Sequence, residues 1–583
     1  MIDVEALLDS FYPELRHSKK RLYRTTASLL KKILHEKEIN QFIDSHRHLV
    51  GLEFLDSVLD HFDFKYSLSN RDRANIPAQG RVIIVANHPL GSLDGLALLK
   101  MVSEIRPDVK IVATTVLSRI KPLESLFLSV DNTSKKSSHF RSLKNILAEL
   151  EQDRAIIMFP TGEVSRIRPH GVRDGKWKSG FVRLAFKSDS PILPIYINGK
   201  NSKLFYSMSA LYKPLGTLLL VKEMFKQHEQ QISFTVGKPV PLSSLQKLDM
   251  KPGQLAKRMR KQVYRLARNM KKPLFDTIQN IVHPMNKKSI RDELKQSELI
   301  GSTQDGKQIY LFDYQSNSSV IREIGRLREL SFRQVQEGTG NAIDIDEFDR
   351  YYRHLVLWDD NDLEIVGTYR IGEGLRILTQ KGYAGFYSHT LFDMQDELIP
   401  YLEKSIELGR SFVQPRYWGK RSLDYLWYGI GAYLQRHPEV EYMIGPVSLS
   451  ASYPEPAKQA IVKFYSTLFG RDDQLVKPRL PYKLADQNNE FDPFSRVTEM
   501  SQYKKAYAQL KYSLDRLGVR VPALYKQYVE VCNPGGCEFL GFNVDPDFSN
   551  CIDAMILVYV DEIQPRKRER YILSHQKQVE KAA

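Results

Sequence analysis

The stretch Arg81–Gly95, RVIIVANHPLGSLDG, decides how the first half of this chain is read. Its apolar run, Val82–Ala86, is short and rich in β-branched residues, the pattern of a strand buried on both faces. The run ends by presenting Asn87 and His88, and Asp94 follows after five intervening residues. A histidine at a strand end with a carboxylate close behind is what hydroxyl activation requires. The imidazole takes the proton, and the carboxylate fixes its tautomer and stabilises the imidazolium. A regular helix does not put residues at this spacing on one face, so Pro89-Leu90-Gly91 has to form a loop that brings Asp94 back. An isolated pair of this kind is more often structural, so the reading depends on what else the chain carries.

Two further blocks follow, IIMFPTGEVSR (Ile156–Arg166) and PILPIYING (Pro191–Gly199). In order and content, the three blocks resemble the glycerolipid acyltransferase family of the lysophosphatidic acid acyltransferase type, over about Val82 to Ser202. That family carries a His-x4-Asp box, a Phe-Pro-Glu-Gly box and a downstream apolar strand containing proline. Here the first box has one residue more. Thr161 stands where the family usually has Glu, with Glu163 displaced past Gly162. The resemblance implies His88 as general base for an acceptor hydroxyl, assisted by Asp94, with no covalent acyl-enzyme. Asn87 would orient the box, and Gly162 would let the acceptor approach the backbone closely, beside Glu163. Arg166 would bind an acceptor carboxylate or phosphate, or stand as an ordinary surface arginine.

The bulk properties narrow the class. A chain of 583 residues holds two or more domains. It contains no apolar run of about 18 or more residues, so no spanning helix is expected. The opening MIDVEALLDSFYPEL lacks the basic region and cleavage site of a signal peptide. Three cysteines, Cys532, Cys537 and Cys551, point to a reducing compartment. The Cys-x4-Cys pair has no second ligand pair nearby, so no metal site is expected. A net charge of +16 calls for an acidic partner, and nucleic acid, anionic lipid and acyl carrier protein would all serve. Nucleic acid is disfavoured, because no zinc-finger spacing, RNA-recognition box or recognition-helix pattern is present. Basic clusters lie at His17–Arg24, Leu255–Lys272 and Arg566–Arg570. In the second, Leu255, Met259, Val263, Leu266 and Met270 recur at helical spacing. Such a helix either lies on an anionic membrane or packs on its own domain.

Periodicity organises the rest. Residues 1–75 read as helices, after which Val82–Ala86, Val109–Thr114, Ala155–Phe159 and Ile192–Ile197 read as strands, with a helix over Phe140–Gln152. The expected fold class is α/β, with a helical lead-in and a mixed, mostly parallel sheet. The polar stretch Pro273–Glu298 places a boundary near residue 290, giving domains 1–290 and 291–583. In the second, Gln308–Asp313, Leu355–Trp358, Ile365–Ile371, Ser405–Val413 and Met443–Val447 read as strands, and Ser319–Gln336 and Leu423–Arg436 as helices. Cys532–Phe548 reads as a glycine-rich turn between strands of a small β subdomain.

The second half has its own signature: RLRELSF (Arg326–Phe332), IDEFDRYYRHLVLWD (Ile345–Asp359), VGTYRI (Val366–Ile371) and IELGRSFV (Ile406–Val413). These segments resemble the acyl-carrier-dependent branch of the GNAT superfamily, notably ornithine-lipid N-acyltransferases and, more distantly, acyl-homoserine-lactone synthases. The resemblance runs from about Ile321 to Gly470 and implies an α+β GNAT-like domain. Its landmarks are Arg328, Phe332, Asp346, Asp349, Gly367, Arg370, Glu407 and Arg410. The implied donor is an acyl thioester on a carrier protein, and the implied acceptor an amino-acid α-amine. Glu407 and Asp349 would hold the ammonium and take its proton. Arg370 or Arg410 would grip the α-carboxylate, with Arg328 and Asp346 completing the pocket. The bland alternative is that the DEFD acids cap a helix or pair with neighbouring arginines.

Together the halves resemble bifunctional ornithine-lipid synthases. The second would N-acylate ornithine with a 3-hydroxyacyl chain, and the first would esterify that hydroxyl. No bound cofactor is expected beyond acyl carrier protein thioesters as donors. The expected setting is cytoplasmic, at the anionic surface of the inner membrane; oligomeric state is not legible. Alternatives with the same blocks are a glycine-lipid or other aminolipid synthase, a lysophosphatidic acid acyltransferase with a GNAT-like appendage, and a binding protein with decayed sites.

Overall fold

β-branched runs bounded by polar turns become the centre of the first sheet. The computed structural model describes residues 20–114, 120–130, 136–169, 171–211, 213–268, 272–471, 473–485 and 503–574, with residues 4, 5, 9 and 270. Residues 17–19 of the first basic cluster and most of the opening segment lie outside them. The chain divides into two compact units, Met1–His283 and Pro284–Ala583.

In unit 1 the helices Lys20–Ile33, Glu36–Ser45 and Gly51–His61 precede β1 (Lys65–Ser67), β2 (Val82–Ala86), β3 (Lys110–Thr114), β4 (Phe127–Val130) and β5 (Ala155–Met158). A hairpin of β6 (Arg166–Arg168) and β7 (Gly171–Arg173) stands apart, and β8 (Ile192–Asn198) and β9 (Gln231–Val236) complete the sheet. The sheet order is β1-β9-β8-β2-β5-β3-β4, and only β8 and β9 pair antiparallel. All five residues of β2 are buried because both faces are covered. Val82, Ile84 and Ala86 pack with helix α1 (Leu93–Ser103) on one face. Ile83 and Val85 pack with α2 (Gly180–Ser188) and α3 (Pro252–Leu266) on the other.

That packing decides the basic helix. Leu255, Met259 and Val263 are buried in unit 1's own core, and Leu266 abuts Gly237, so the apolar stripe is not offered to a membrane. Its arginines are put to internal use: Arg258 caps the Leu274 carbonyl and Arg260 that of Asp174. Only Met270 is left out, 48% exposed.

Unit 2 opens with α4 (Lys287–Leu294), capped by Asn286, whose side chain accepts from the Lys288 and Ser289 amides. Ile290, at the expected boundary, is therefore mid-helix and buried in unit 2's core; the division falls at Pro284. After β10 (Glu298–Ser302) and β11 (Gln308–Phe312) comes α5 (Ser319–Gln334), capped by the Ser318 hydroxyl. Then follow β12 (Arg353–Asp359), β13 (Glu364–Glu373), β14 (Phe392–Met394), β15 (Ser405–Val413), α6 (Ser422–Arg436) and β16 (Tyr442–Leu449). The chain continues through α7 (Glu455–Phe469), β17 (Val476–Pro478), α8 (Tyr503–Arg516), α9 (Ala523–Val531), β18 (Cys537–Asp545) and β19 (Cys551–Tyr559). The main sheet runs β10-β11-β12-β13-β15-β16-β19-β18, and β14 and β17 form a separate ladder. Among the described residues β18 and β19 form no separate subdomain: β19 enters the main sheet between β16 and β18. The glycine-rich turn links helix α9 to β18, not strand to strand.

One contact in this sheet is incomplete. β15 and β16 are its parallel pair, and they are joined only over Ser405–Glu407 and Tyr442–Ile444. β16 goes on pairing with β19 as far as Leu449, so the two parallel strands part company and leave a wedge.

Candidate functional sites

In unit 1, β2 delivers the site and α1 receives it. Asn87 is 3% exposed, and its side-chain amide binds the Ile197 backbone twice, accepting from N at 2.7 Å and donating to O at 2.9 Å. It extends the β2–β8 pairing by one side chain, which fixes the strand end that presents His88. The chain then turns through Gly91, at φ +85°, where a side chain would press on Leu220 and Val164. That turn returns Asp94 to the first turn of α1 and within reach of His88, Nδ1 to Oδ2 being 3.0 Å. Asp94 is fully buried and accepts three more bonds, from the Leu90, Ser92 and Gly95 amides at 3.0 Å each. Burial opposes its charge, but His88, with the Leu90 and Gly91 amides, holds its carboxyl below the usual range. Burial likewise disfavours imidazolium, and Asp94, with Asp174 behind it, lifts His88 above an ordinary histidine. The ring lies flat on Phe159, centroids 4.0 Å apart. With Nδ1–H directed at Asp94, Nε2 carries a lone pair that meets no partner among the described residues. This nitrogen can take a proton from a hydroxyl.

Beneath His88 stands a residue the sequence reading missed. Asp174 accepts from the His88 amide (3.2 Å), the Ser165 hydroxyl (2.5 Å) and the Trp177 indole (2.8 Å), fixing the backbone that carries the base. The second box folds beside it. Gly162 has φ +67°, and a Cβ there would sit 3.2 Å from Lys178 Nζ, so the backbone and an ammonium meet closely. Glu163 is a partner of Arg166 at 3.7 Å, and Arg166 is also bound to the Ser209 hydroxyl, which leaves its buried Nε without a hydrogen bond. The Thr161 hydroxyl, where the family's Glu would be, is also buried without one.

In unit 2 the expected landmarks do converge, but on one another. Arg328 of α5 donates to Asp349 at 2.7 Å, and Arg370 of β13 reaches Asp346 at 2.5 Å and Asp349 at 3.4 Å. Asp346 and Asp349 each accept the other's amide, at 3.2 and 2.9 Å. Asp349 is buried, which alone would favour its neutral form, yet Arg328 and Arg370 hold its carboxyl far below the ordinary range. It is no proton acceptor near neutrality, and pairing with arginines is the better reading of the DEFD acids. Glu407 is likewise closed: its carboxylate accepts from the Tyr352 and Ser388 hydroxyls and from the Tyr387 (3.0 Å) and Ser388 (2.7 Å) amides. Four donors leave it no room for an acceptor's ammonium, so it pins the Tyr387–Ser388 segment to the sheet.

Arg410 is different. A bulge in β15, opposite Thr368–Arg370, gives it φ +46° and turns it out of the ladder. Its guanidinium lies between the rings of Tyr387 (4.9 Å) and Phe548 (5.0 Å), with Asp344 and Asp346 at 3.8 and 3.6 Å. Its Nε has no hydrogen-bond partner, and neither do Nε and Nη2 of Arg370 beneath. These spare donors suit a carboxylate.

Residues 16–272 match the Acyltransferase family, and residues 327–428 the acetyltransferase (GNAT) domain. A glycine N(alpha)-acyltransferase of Bacteroides thetaiotaomicron is 32% identical over 51% of this chain and 90% of its own length. A lyso-glycine lipid O-acyltransferase of the same organism is 31% identical over 46% of this chain and 97% of its own. The chain belongs to the aminolipid acyltransferase family. An L-ornithine N(alpha)-acyltransferase of Agrobacterium fabrum is 36% identical, over 22% of this acyltransferase and 45% of the relative. In this acyltransferase the His88–Asp94 pair lies in unit 1, and Arg370 and Arg410 lie in unit 2. No described helix of it is long and apolar enough to cross a membrane.

Proposed function

We propose that this acyltransferase builds a two-chain aminolipid by consecutive acylations. Unit 2 joins a 3-hydroxyacyl chain from acyl carrier protein to the α-amine of an amino acid; unit 1 then esterifies the 3-hydroxyl with a second acyl chain. The observation that carries this reading is the presence in one chain of both an O-acyltransferase-type and an N-acyltransferase-type half, the first with an unblocked His88 Nε2.

In unit 1, Asp94 holds the imidazole, Nε2 removes the hydroxyl proton, and the oxygen attacks the thioester carbonyl. The C–S bond breaks, and the proton passes from His88 to the departing sulfur. Glycine is the first acceptor to try, because the glycine-lipid relatives align along nearly all of their length. Ornithine, expected from the sequence, is the second. The one-chain intermediate is an amphiphile, so the enzyme works at a membrane surface, and its charge of +16 favours both anionic lipid and an acidic carrier protein.

The test is lipid mass spectrometry of the purified full chain given the amino acid, 3-hydroxyacyl carrier protein and acyl carrier protein. Wild type yields the two-chain lipid and His88→Ala stops at the one-chain amide, ester formation falling by ~10²–10⁴-fold. An undiminished ester from His88→Ala sinks the assignment of unit 1. Acylation of lysophosphatidic acid but of no amino acid sinks the aminolipid reading.

A further inference from the structure

Glu407 and Asp349 are closed, and the remaining landmark acid, Asp346, is held between Arg370 at 2.5 Å and Arg410 at 3.6 Å although its Oδ2 lacks a hydrogen bond; a separate acid stands near the wedge between β15 and β16. Beyond β16, four elements bring side chains together, and the charge of Arg410 bears on two of them, Asp553 and Asp545. Asp553 comes from β19, where it is 3% exposed and accepts from the Ser448 hydroxyl of β16 at 2.6 Å. Asp545 ends β18, with one carboxyl oxygen bonded to the Asp547 and Phe548 amides at 2.9 and 3.2 Å. Glu337 follows α5, and its carboxyl has no hydrogen bond among the described residues. Tyr525 of α9 is fully buried, and its hydroxyl has no partner although the charges of Asp553 and Glu337 bear on it.

We propose that Asp553, flanked by Glu337 and Asp545, forms the amine subsite of unit 2, and that Asp553 takes the acceptor's ammonium proton. This rests on unit 2 being the N-acyltransferase. Two observations beyond the acids point to a ligand. One is the unpartnered Tyr525 hydroxyl, an oxygen able to accept from an ammonium. The other is charge: three carboxyls meet there, and the cation facing them, Arg410, already leans on Asp344 and Asp346. An amino acid satisfies both sides, its carboxylate on Arg410 and its ammonium among the acids.

The surroundings suit a base. Burial first, and Asp545 second, push Asp553 up to about 6, against the Ser448 and Cys551 hydrogen bonds and Arg410. Burial and Asp553 push Glu337 up to about 7. Tyr387 also faces these acids, its own pKa raised. In the reaction Asp553 takes one proton from the ammonium and later releases it to solvent. The freed nitrogen attacks the thioester carbon, the C–N bond forms and the C–S bond breaks. The second nitrogen proton ends on the thiolate, which leaves as thiol.

The experiment follows thiol release and amide product with the full chain, 3-hydroxyacyl carrier protein and either glycine or ornithine, between about pH 5.5 and about pH 8.5. Wild-type kcat/KM rises as pH passes through about 6 to 7. Asp553→Asn is expected to lower kcat by ~10²-fold or more and to lose that rise. Ser448→Ala removes a hydrogen bond that favours the charged form, so it moves the rise to higher pH, which a merely structural role for Asp553 would not do. A wild-type profile in both variants overturns the subsite while leaving the N-acyltransferase reading intact. If Asp553→Asn fails to fold, the Ser448→Ala profile decides alone. No amide from wild type with either amino acid removes the reading and the subsite together.

Discussion

His88 in unit 1 and Glu407, one of two candidate bases with Asp349 in unit 2, are both hydrogen-bonded and largely buried. The difference is in what is left over. His88 spends one nitrogen on Asp94 and keeps the other free. Glu407 spends both oxygens on four donors and keeps nothing. A candidate base is therefore judged by its remaining lone pair, not by its residue type or its place in a motif. The same rule singles out Arg410 and Arg370, which retain spare donors.

Three substitutions test this contrast. The largest effect is expected from Asp94→Asn, which removes the charge that fixes and lifts the imidazole. Ester formation falls by ~10²–10⁴-fold. His88 must be neutral to act, and in the wild type its pKa is raised, so activity climbs as pH passes that raised value. In the variant the residual climb moves to lower pH. An unmoved pH–rate profile breaks the dyad.

Next is Glu407→Gln. An amide nitrogen would face backbone N–H groups, leaving a buried donor unsatisfied at a cost of about 1–3 kcal/mol. Thermal unfolding of unit 2 drops accordingly, while kcat for amide formation stays within a few-fold in folded protein. A lost kcat at unchanged Tm makes Glu407 the base after all. The smallest effect belongs to Arg410→Lys. Lysine has no flat face to lie between Tyr387 and Phe548 and no fork for a carboxylate. KM for the amino acid rises about tenfold with kcat little changed, read from steady-state kinetics. A change in kcat alone contradicts carboxylate binding at this position.

Most of unit 1 was legible because its central strands are buried on both faces, and continuous apolar runs such as VIIVA announce that directly. β9 was missed: QISFTV alternates exposed and buried residues and has no motif to draw attention to it. The dyad was legible because its partners are six positions apart in sequence. Asp174 was not, since its meaning depends on a backbone 86 positions away. Asp553 had a signal that went unread: CIDAMILVY places one carboxylate in an otherwise apolar strand, which demands a partner or a purpose. The basic helix shows the limit of periodicity, because an apolar stripe looks the same whether its neighbour is lipid or the domain's own sheet.

The place of β19 in the sheet carries a consequence for how the molecule is made. Unit 1's last strand, β9, ends at Val236, whereas β16 of unit 2 has an open edge until β19, ending at Tyr559, slots in beside it. At ribosomal speeds of about 5–20 residues per second, the interval from the end of unit 1 to β19 takes on the order of 15–55 s. For the last part of it, from the completion of β16 at Leu449 to that of β19, about 6–22 s at the same speeds, the growing chain presents an unpaired strand edge of the kind that invites wrong partners. The strands of unit 1 are therefore all made while unit 2 still has an open edge, and the late arrival of β19 makes synthesis the stage at which unit 2 most needs a chaperone.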